Sequence, residues 1–138
     1  MAIQITRRLE IDAGHRLLKH TGKCRHVHGH RFVFDVTVSA EQLDEVGRII
    51  DFGEVKRILG GWLDEHWDHG FILTADDPLR EFLQTHELKH YVLPWAPTAE
   101  NIAAYFFKQA LDLMRQVGID LVKVRVWETP NCWAEVTS

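Results

Sequence analysis

The segment His28-Gly-His30-Arg-Phe32-Val-Phe34-Asp-Val36-Thr-Val38 decides the fold. His28, His30, Phe32, Phe34, Val36 and Val38 fall on one side of a period-two pattern. Arg31, Asp35, Thr37 and, just beyond, Ser39 fall on the other, with Val33 the one apolar exception. Strict alternation of this kind marks a half-buried β-strand. Its unusual feature is that the apolar face begins with two imidazoles.

The same pattern holds upstream. Over residues 2–15, Ile3, Ile5, Leu9, Ile11, Ala13 and His15 share a face broken only by Arg7, which predicts a second half-buried strand. Downstream the period changes to that of a helix. Phe52, Val55, Leu59, Trp62 and His66 recur at three and four across residues 52–67, with Asp51 and Glu54 as a capping box and Gly70 as a left-handed stop. Pro78 to Thr85 reads as a short helix after an Asp77 cap. A long helix follows Thr98, carries Ile102, Phe106, Ala110 and Leu113 inward, and stops at Gly118. Residues 120–128 form a third strand with Val122, Val124, Val126 and Glu128 on one face. After a turn at Thr129-Pro130-Asn131, Cys132, Ala134 and Val136 alternate in a fourth, with Cys132 facing inward. The order β-β-α-α-β-β predicts an α+β layer: a four-stranded antiparallel sheet with helices on one face. The 138 residues suit one domain, 1–138, with no repeat, linker or low-complexity segment.

Charge and composition narrow the function. Sixteen basic against 20 acidic side chains give a formal net charge of −4, which argues against a nucleic-acid platform. No apolar run approaches the ~20 residues of a bilayer span. The first residues resemble neither a signal nor a transit peptide, so a cytoplasmic protein is expected. Two cysteines, Cys24 and Cys132, do not make a disulfide framework and read as free thiols.

His28 and His30 leave the same face of a strand, and His15 ends the apolar face of the first. If those strands are neighbours, three imidazoles converge. One histidine on an apolar face is ordinarily a hydrogen-bonded core residue. Three, with His-x-His among them, point to a metal, and neutral imidazoles with an open fourth position favour Zn2+. His20 and His26 are alternative ligands, His26 the stronger competitor. Cys24 has three readings: a fourth zinc ligand, a loop spectator, or a catalytic base or nucleophile favoured by Lys23, Arg25 and the metal. Asp68-His69 at the helix end is either a dipole-capping histidine or an acid–base pair. Glu128 is an inward carboxylate that requires a partner: a backbone amide, an arginine, or a ligand presenting adjacent N–H donors.

At these residues the chain resembles the 6-pyruvoyl tetrahydropterin synthase / 6-carboxytetrahydropterin synthase family. The resemblance runs nearly end to end, through Ala13-Gly-His15, Cys24-x3-His28-Gly-His30, Ile50-Asp51-Phe52-Gly53, Trp67-Asp68-His69, Pro97-Thr98-Ala-Glu100-Asn101 and Glu128-Thr129. It implies the tunnelling fold, whose subunits join their sheets into barrels, with a homohexamer made of two trimers. It implies zinc on His15, His28 and His30, Cys24 as proton acceptor, and Asp68, His69 and Glu128 in a proton relay. The cysteine and the Asp-His pair would come from adjacent subunits. Glu128 would also anchor the 2-amino-pyrimidinone edge of a pterin, with Thr98 lining the same pocket. The Cys-x3-His-x-His spacing is similar to the bacterial 6-carboxytetrahydropterin synthases of the queuosine and 7-deazaguanine pathway. The activity so implied is conversion of 7,8-dihydroneopterin triphosphate to 6-carboxy-5,6,7,8-tetrahydropterin, acetaldehyde and triphosphate. Pyruvoyl-tetrahydropterin synthesis, a non-catalytic zinc or pterin-binding module, and a structural zinc site closed by Cys24 are the rivals. Two places depart from many relatives: Gly70-Phe71-Ile72-Leu73-Thr74 replaces a Leu-Asn pair after Asp-His, and Glu135 stands where an aromatic residue is common.

Overall fold

A computed structural model describes residues 1–138. Strands β1 (Ile5–His15) and β2 (His28–Ser39) form a long antiparallel hairpin. Its loop, residues 16–27, holds one 3₁₀ turn at Lys23–Arg25. Gly14 lies opposite Gly29, and His15 lies directly opposite His28. The glycines answer a close approach. A Cβ on Gly14 would meet the Phe71 ring at 2.7 Å, and one on Gly29 would meet the Ala13 carbonyl at 3.0 Å.

The sheet has six strands rather than four, in the order β4-β3-β1-β2-β5-β6. The extra pair, β3 (Phe71–Thr74) and β4 (His90–Leu93), joins the β1 edge in parallel, so the sheet is mixed and not purely antiparallel. Each has four residues, too few to show a period, and Phe71-Ile-Leu73 is a continuous apolar run. At the other edge β5 (Asp120–Thr129) and β6 (Cys132–Thr137) pair antiparallel as expected.

One helical run lies across the core face, comprising α1 (Phe52–Val55), a π-helical stretch at Lys56–Gly60 and α2 (Gly61–His66). The wider π turn brings Val55, Leu59 and Leu63 to full burial at a spacing of four. Phe52, expected inward, is exposed, while Trp62 and His66 are half-buried on the flank. Asp51 caps the run by accepting from the Gly53 amide at 2.7 Å. Glu54 does not complete the box and instead accepts from Arg57 at 2.6 Å. Helix α3 (Leu79–Thr85) follows Asp77, whose carboxylate accepts from the Leu79 amide. Helix α4 (Ala99–Arg115) is capped by Thr98, which accepts from the Asn101 amide, and the chain leaves it through Gly118 at φ 74°.

Leu9, Ile11, Phe32, Phe34, Val36, Val124 and Val126 pack against Val55, Leu59, Leu63, Ile102, Phe106, Ala110 and Met114 in one core. Each large side chain so buried stabilises the fold by about 1.5–3 kcal/mol. Met114 takes the inward place expected of Leu113, which is half-buried. A bulge between Thr37 and Val38 brings Leu121 into the core in place of Val122. Cys132, expected inward, is exposed on the edge strand.

Candidate metal centre

The register of β1 and β2 assembles three histidines at the end of the core face. His15 and His28 face each other across the ladder, and His30 lies one inward step along, opposite Ala13. The ring centroids of His15 lie 4.6 Å from His28 and 5.0 Å from His30, and those of His28 and His30 are 4.9 Å apart. One nitrogen from each ring falls within 4.8 Å of the other two. Phe32, edge-on to His15 and His30, forms the apolar floor.

Two of the rings are held by carbonyl oxygens. His15 Nδ1 donates to the Pro97 carbonyl at 2.7 Å, and His28 Nδ1 donates to the His26 carbonyl at 2.7 Å. A donating Nδ1–H leaves a lone pair on Nε2, the tautomer a metal ligand needs. His15 Nε2 is buried and has no hydrogen-bond donor facing it. Burial pushes the His15 imidazole below its ordinary range despite the opposing pull of Pro97 and Glu128. Burial, reinforced by His28, does the same to His30 against the pull of Glu128. Neutral imidazoles whose free nitrogens converge fit a divalent metal with nitrogen preference, and the donor set matches three-histidine zinc sites.

The other sequence candidates fall in four places. Cys24 is half-buried in the 3₁₀ turn, where its carbonyl accepts from the Leu17 amide at 2.6 Å, two residues beyond His15. It is not a member of the converging group, and neither are the exposed His20 and His26. Glu128 points toward the cluster, with Oε1 3.2 Å from His15 Nε2 and 3.6 Å from His30 Nε2. Its sequence-level partners, an amide or an arginine, are not the ones it meets. Together with His30, Arg8, Arg31 and Trp127 it borders a cavity of about 600 Å³. Thr98 borders a different cavity of about 890 Å³, walled by Leu17, His20 and Trp95.

Asp68 and His69 lie apart from the histidine cluster within this chain. His69 Nδ1 meets Asp68 Oδ2 at 3.0 Å, and Asp68 Oδ1 accepts from the Asp12 amide at 3.0 Å. The His69 amide in turn donates to the Asp12 carbonyl at 2.7 Å. Burial raises the Asp68 carboxyl, but the Asp12 amide, His69 and Lys89 outweigh it and hold the group below the usual carboxylate range. The His69 side chain is 77% exposed and borders a cleft with Gly14, Gly29, His30 and Arg31. His69, not Gly70, is the left-handed residue that ends this helix, at φ 57°. Such a backbone costs a non-glycine residue roughly 1–2 kcal/mol, and strain of this kind concentrates at functional positions.

Sequence reasoning missed one contributor, Pro97. Its backbone carbonyl orients His15, and a main-chain acceptor leaves no side-chain signature. The surrounding Pro-Thr-Ala-Glu-Asn segment is the available signal, since Thr98 caps α4 and Asn101 Nδ2 donates to the Ala96 carbonyl at 2.9 Å.

Comparison with known proteins agrees with this geometry. The family model described as 6-pyruvoyl tetrahydropterin synthase matches residues 4–138. A Rickettsia bellii protein named 6-carboxy-5,6,7,8-tetrahydropterin synthase is 40% identical over 137 residues, covering 97% of this chain and 99% of its own. The crystal structure of an uncharacterized protein from Wolinella succinogenes superposes with a TM-score of 0.87 at 24% identity, covering 100% of this chain and 99% of that one. The 6-pyruvoyl tetrahydropterin synthase of Caenorhabditis elegans superposes with a TM-score of 0.72 at 24% identity, covering 100% and 96%. Fold, family model and named relatives coincide, so the chain belongs to the 6-pyruvoyl tetrahydropterin synthase family and is one of its enzymes.

Proposed function

We propose that this single-domain chain converts 7,8-dihydroneopterin triphosphate, with uptake of water, to 6-carboxy-5,6,7,8-tetrahydropterin, acetaldehyde and triphosphate, and that it does so in the cytoplasm within 7-deazaguanine (queuosine) biosynthesis. The observation that carries this reading is the convergence of His15, His28 and His30 in a chain 40% identical to a protein named for that product. These three residues hold zinc, which supplies Lewis acidity to the substrate's side-chain hydroxyls.

The remaining roles belong to the protein's own groups. Glu128, at the rim of the cluster, accepts the adjacent N–H donors of the pterin's 2-amino-pyrimidinone edge. Cys24, in the loop that leaves His15, takes a proton from a side-chain carbon. His69 returns or relays it, with Asp68 holding the His69 ring through Nδ1. Asp68 and His69 lie outside the converging histidines of their own chain, and Thr98 and Glu128 border different cavities, which supports a site completed by a second chain. In this reading the full constellation forms where two chains meet, as in a homohexamer of two trimers with sheets joined into barrels.

The direct test removes and restores the metal. Chelator treatment should abolish consumption of 7,8-dihydroneopterin triphosphate, and stoichiometric zinc should restore it. Full turnover by rigorously metal-free protein would overturn the reading.

A further inference from the structure

Glu128 occupies an odd position for a pterin anchor. No hydrogen-bond donor of the protein reaches its carboxylate, and its polar neighbours are the Nε2 atoms of His15 and His30. With Nδ1–H of His15 committed to Pro97, the 3.2 Å contact sets a nitrogen lone pair against a carboxylate oxygen. Two acceptors so close repel unless a cation lies between them. Metal–nitrogen and metal–oxygen bonds of ~2.0–2.2 Å in a tetrahedron give ligand–ligand edges of about 3.3–3.6 Å. The Glu128 separations from His15 and His30, 3.2 and 3.6 Å, are close to that edge length.

The sheet does not hold Glu128 in a ladder. The β2–β5 ladder ends at Val33 with Trp127, and the β5–β6 ladder shifts register between Trp127 and Thr129, so Glu128 has a partner on neither side. A residue left unpaired at a bulge has its side chain re-aimed relative to its neighbours. The carboxylate is also 28% exposed and borders the 600 Å³ cavity with His30. It therefore touches both the histidine cluster and a space that a ligand could occupy.

From this we infer that, before substrate binds, Glu128 is the fourth metal ligand, and that the pterin displaces it. The carboxylate closes the metal site at rest, then exchanges the metal for the N–H donors of the incoming ring. The inference rests on the proposed function for the identity of the displacing ligand, but not for the resting contact.

The test uses Co2+ as a spectroscopic probe and needs no turnover. Zinc affinity by chelator competition and the visible spectrum of the cobalt-loaded protein are compared for wild type, Glu128→Gln and Glu128→Ala. The expected result is a loss of zinc affinity of about ten-fold or more in Glu128→Ala, with Glu128→Gln between, and a changed cobalt spectrum in both. Adding pterin to cobalt-loaded wild type should move its spectrum toward that of Glu128→Ala. Unchanged affinity and spectrum in both variants overturn the inference whatever the enzyme's activity. Pterin that binds, as read by its fluorescence, without altering the cobalt spectrum overturns the displacement. A wild type that binds no pterin at all counts against the proposed function, while the substrate-free comparison still decides the resting ligand.

Discussion

His15 Nδ1 donates to the carbonyl of Pro97 at 2.7 Å, joining the end of β1 to the entrance of α4 across 82 residues of sequence. The bond fixes the ring's tautomer and aim, so the metal centre depends on a helix cap that carries none of its ligands. Thr98 holds that cap through the Asn101 amide. Thr98→Ala should cost about 1 kcal/mol of stability by denaturant unfolding. It should also weaken zinc binding, because Pro97 loses its rigid support. Thr98→Ser keeps the hydroxyl and should restore both, whereas equal zinc affinity in all three proteins would detach the cap from the centre.

The three histidines and Cys24 should separate cleanly. Alanine at His15, His28 or His30 should remove stoichiometric zinc, measured by elemental analysis of the purified protein. Cys24→Ala should keep zinc and the folded far-ultraviolet spectrum while losing most turnover, since Cys24 lies outside the converging group. Loss of metal in Cys24→Ala would make the site a closed structural one.

Stability should fall with pH in two windows. Burial holds His15 and His30 below the ordinary imidazole value of 6.5, so the unfolded chain takes up protons first. The metal-free protein should therefore be most stable above that value and lose stability as pH falls below it. Zinc should shift this loss to lower pH, because only the neutral rings bind it. The second window belongs to Asp77, which the Arg16 guanidinium holds below the usual carboxylate range. Its contribution is present above about pH 4 and is lost as pH drops further. Thermal melts across pH with and without zinc would show both; a metal-free melt that is flat from pH 7 to 5 would contradict the first.

Asp77 is almost fully buried and ties Arg16, next to His15, to the start of α3. Asp77→Ala strands the arginine and the Leu79 amide together. Breaking a buried pair from one side costs about 3–5 kcal/mol, reduced here because Arg16 is partly exposed. Urea unfolding should show a loss of about 2 kcal/mol or more.

The Asp68-His69 pair, with its exposed imidazole, yields a mixing experiment. Cys24→Ala and His69→Ala should each be nearly inactive as pure proteins. Refolded together, they should regain activity, because one chain supplies the thiol and its neighbour the imidazole. Two inactive variants that stay inactive after verified exchange of subunits would place both groups in one chain.

Much of this architecture was legible because β1, β2 and α4 are long enough to show a period. The three-histidine cluster followed from two alternating strands and the assumption that they pair. What failed to show was set by nonlocal partners. Strands β3 and β4 exist because β1 offers an open edge, which no four-residue run announces. Phe52 faces outward in the first turn ahead of the π stretch, and the bulge near Val38 exchanged Val122 for Leu121. Gly70 was the reasonable left-handed stop, yet His69 takes that backbone, where its amide donates to the Asp12 carbonyl while the Asp68 carboxylate accepts from the Asp12 amide. Glu128 was correctly placed on the inward face, but its histidine neighbours become apparent only once the end of β5 is laid beside them.

The most direct measurement is mass spectrometry of the products formed by zinc-loaded protein from 7,8-dihydroneopterin triphosphate, with acetaldehyde assayed in the same tube. The expected result is a carboxypterin with acetaldehyde in equal amount. A pyruvoyl pterin without acetaldehyde, or unchanged substrate, would contradict it.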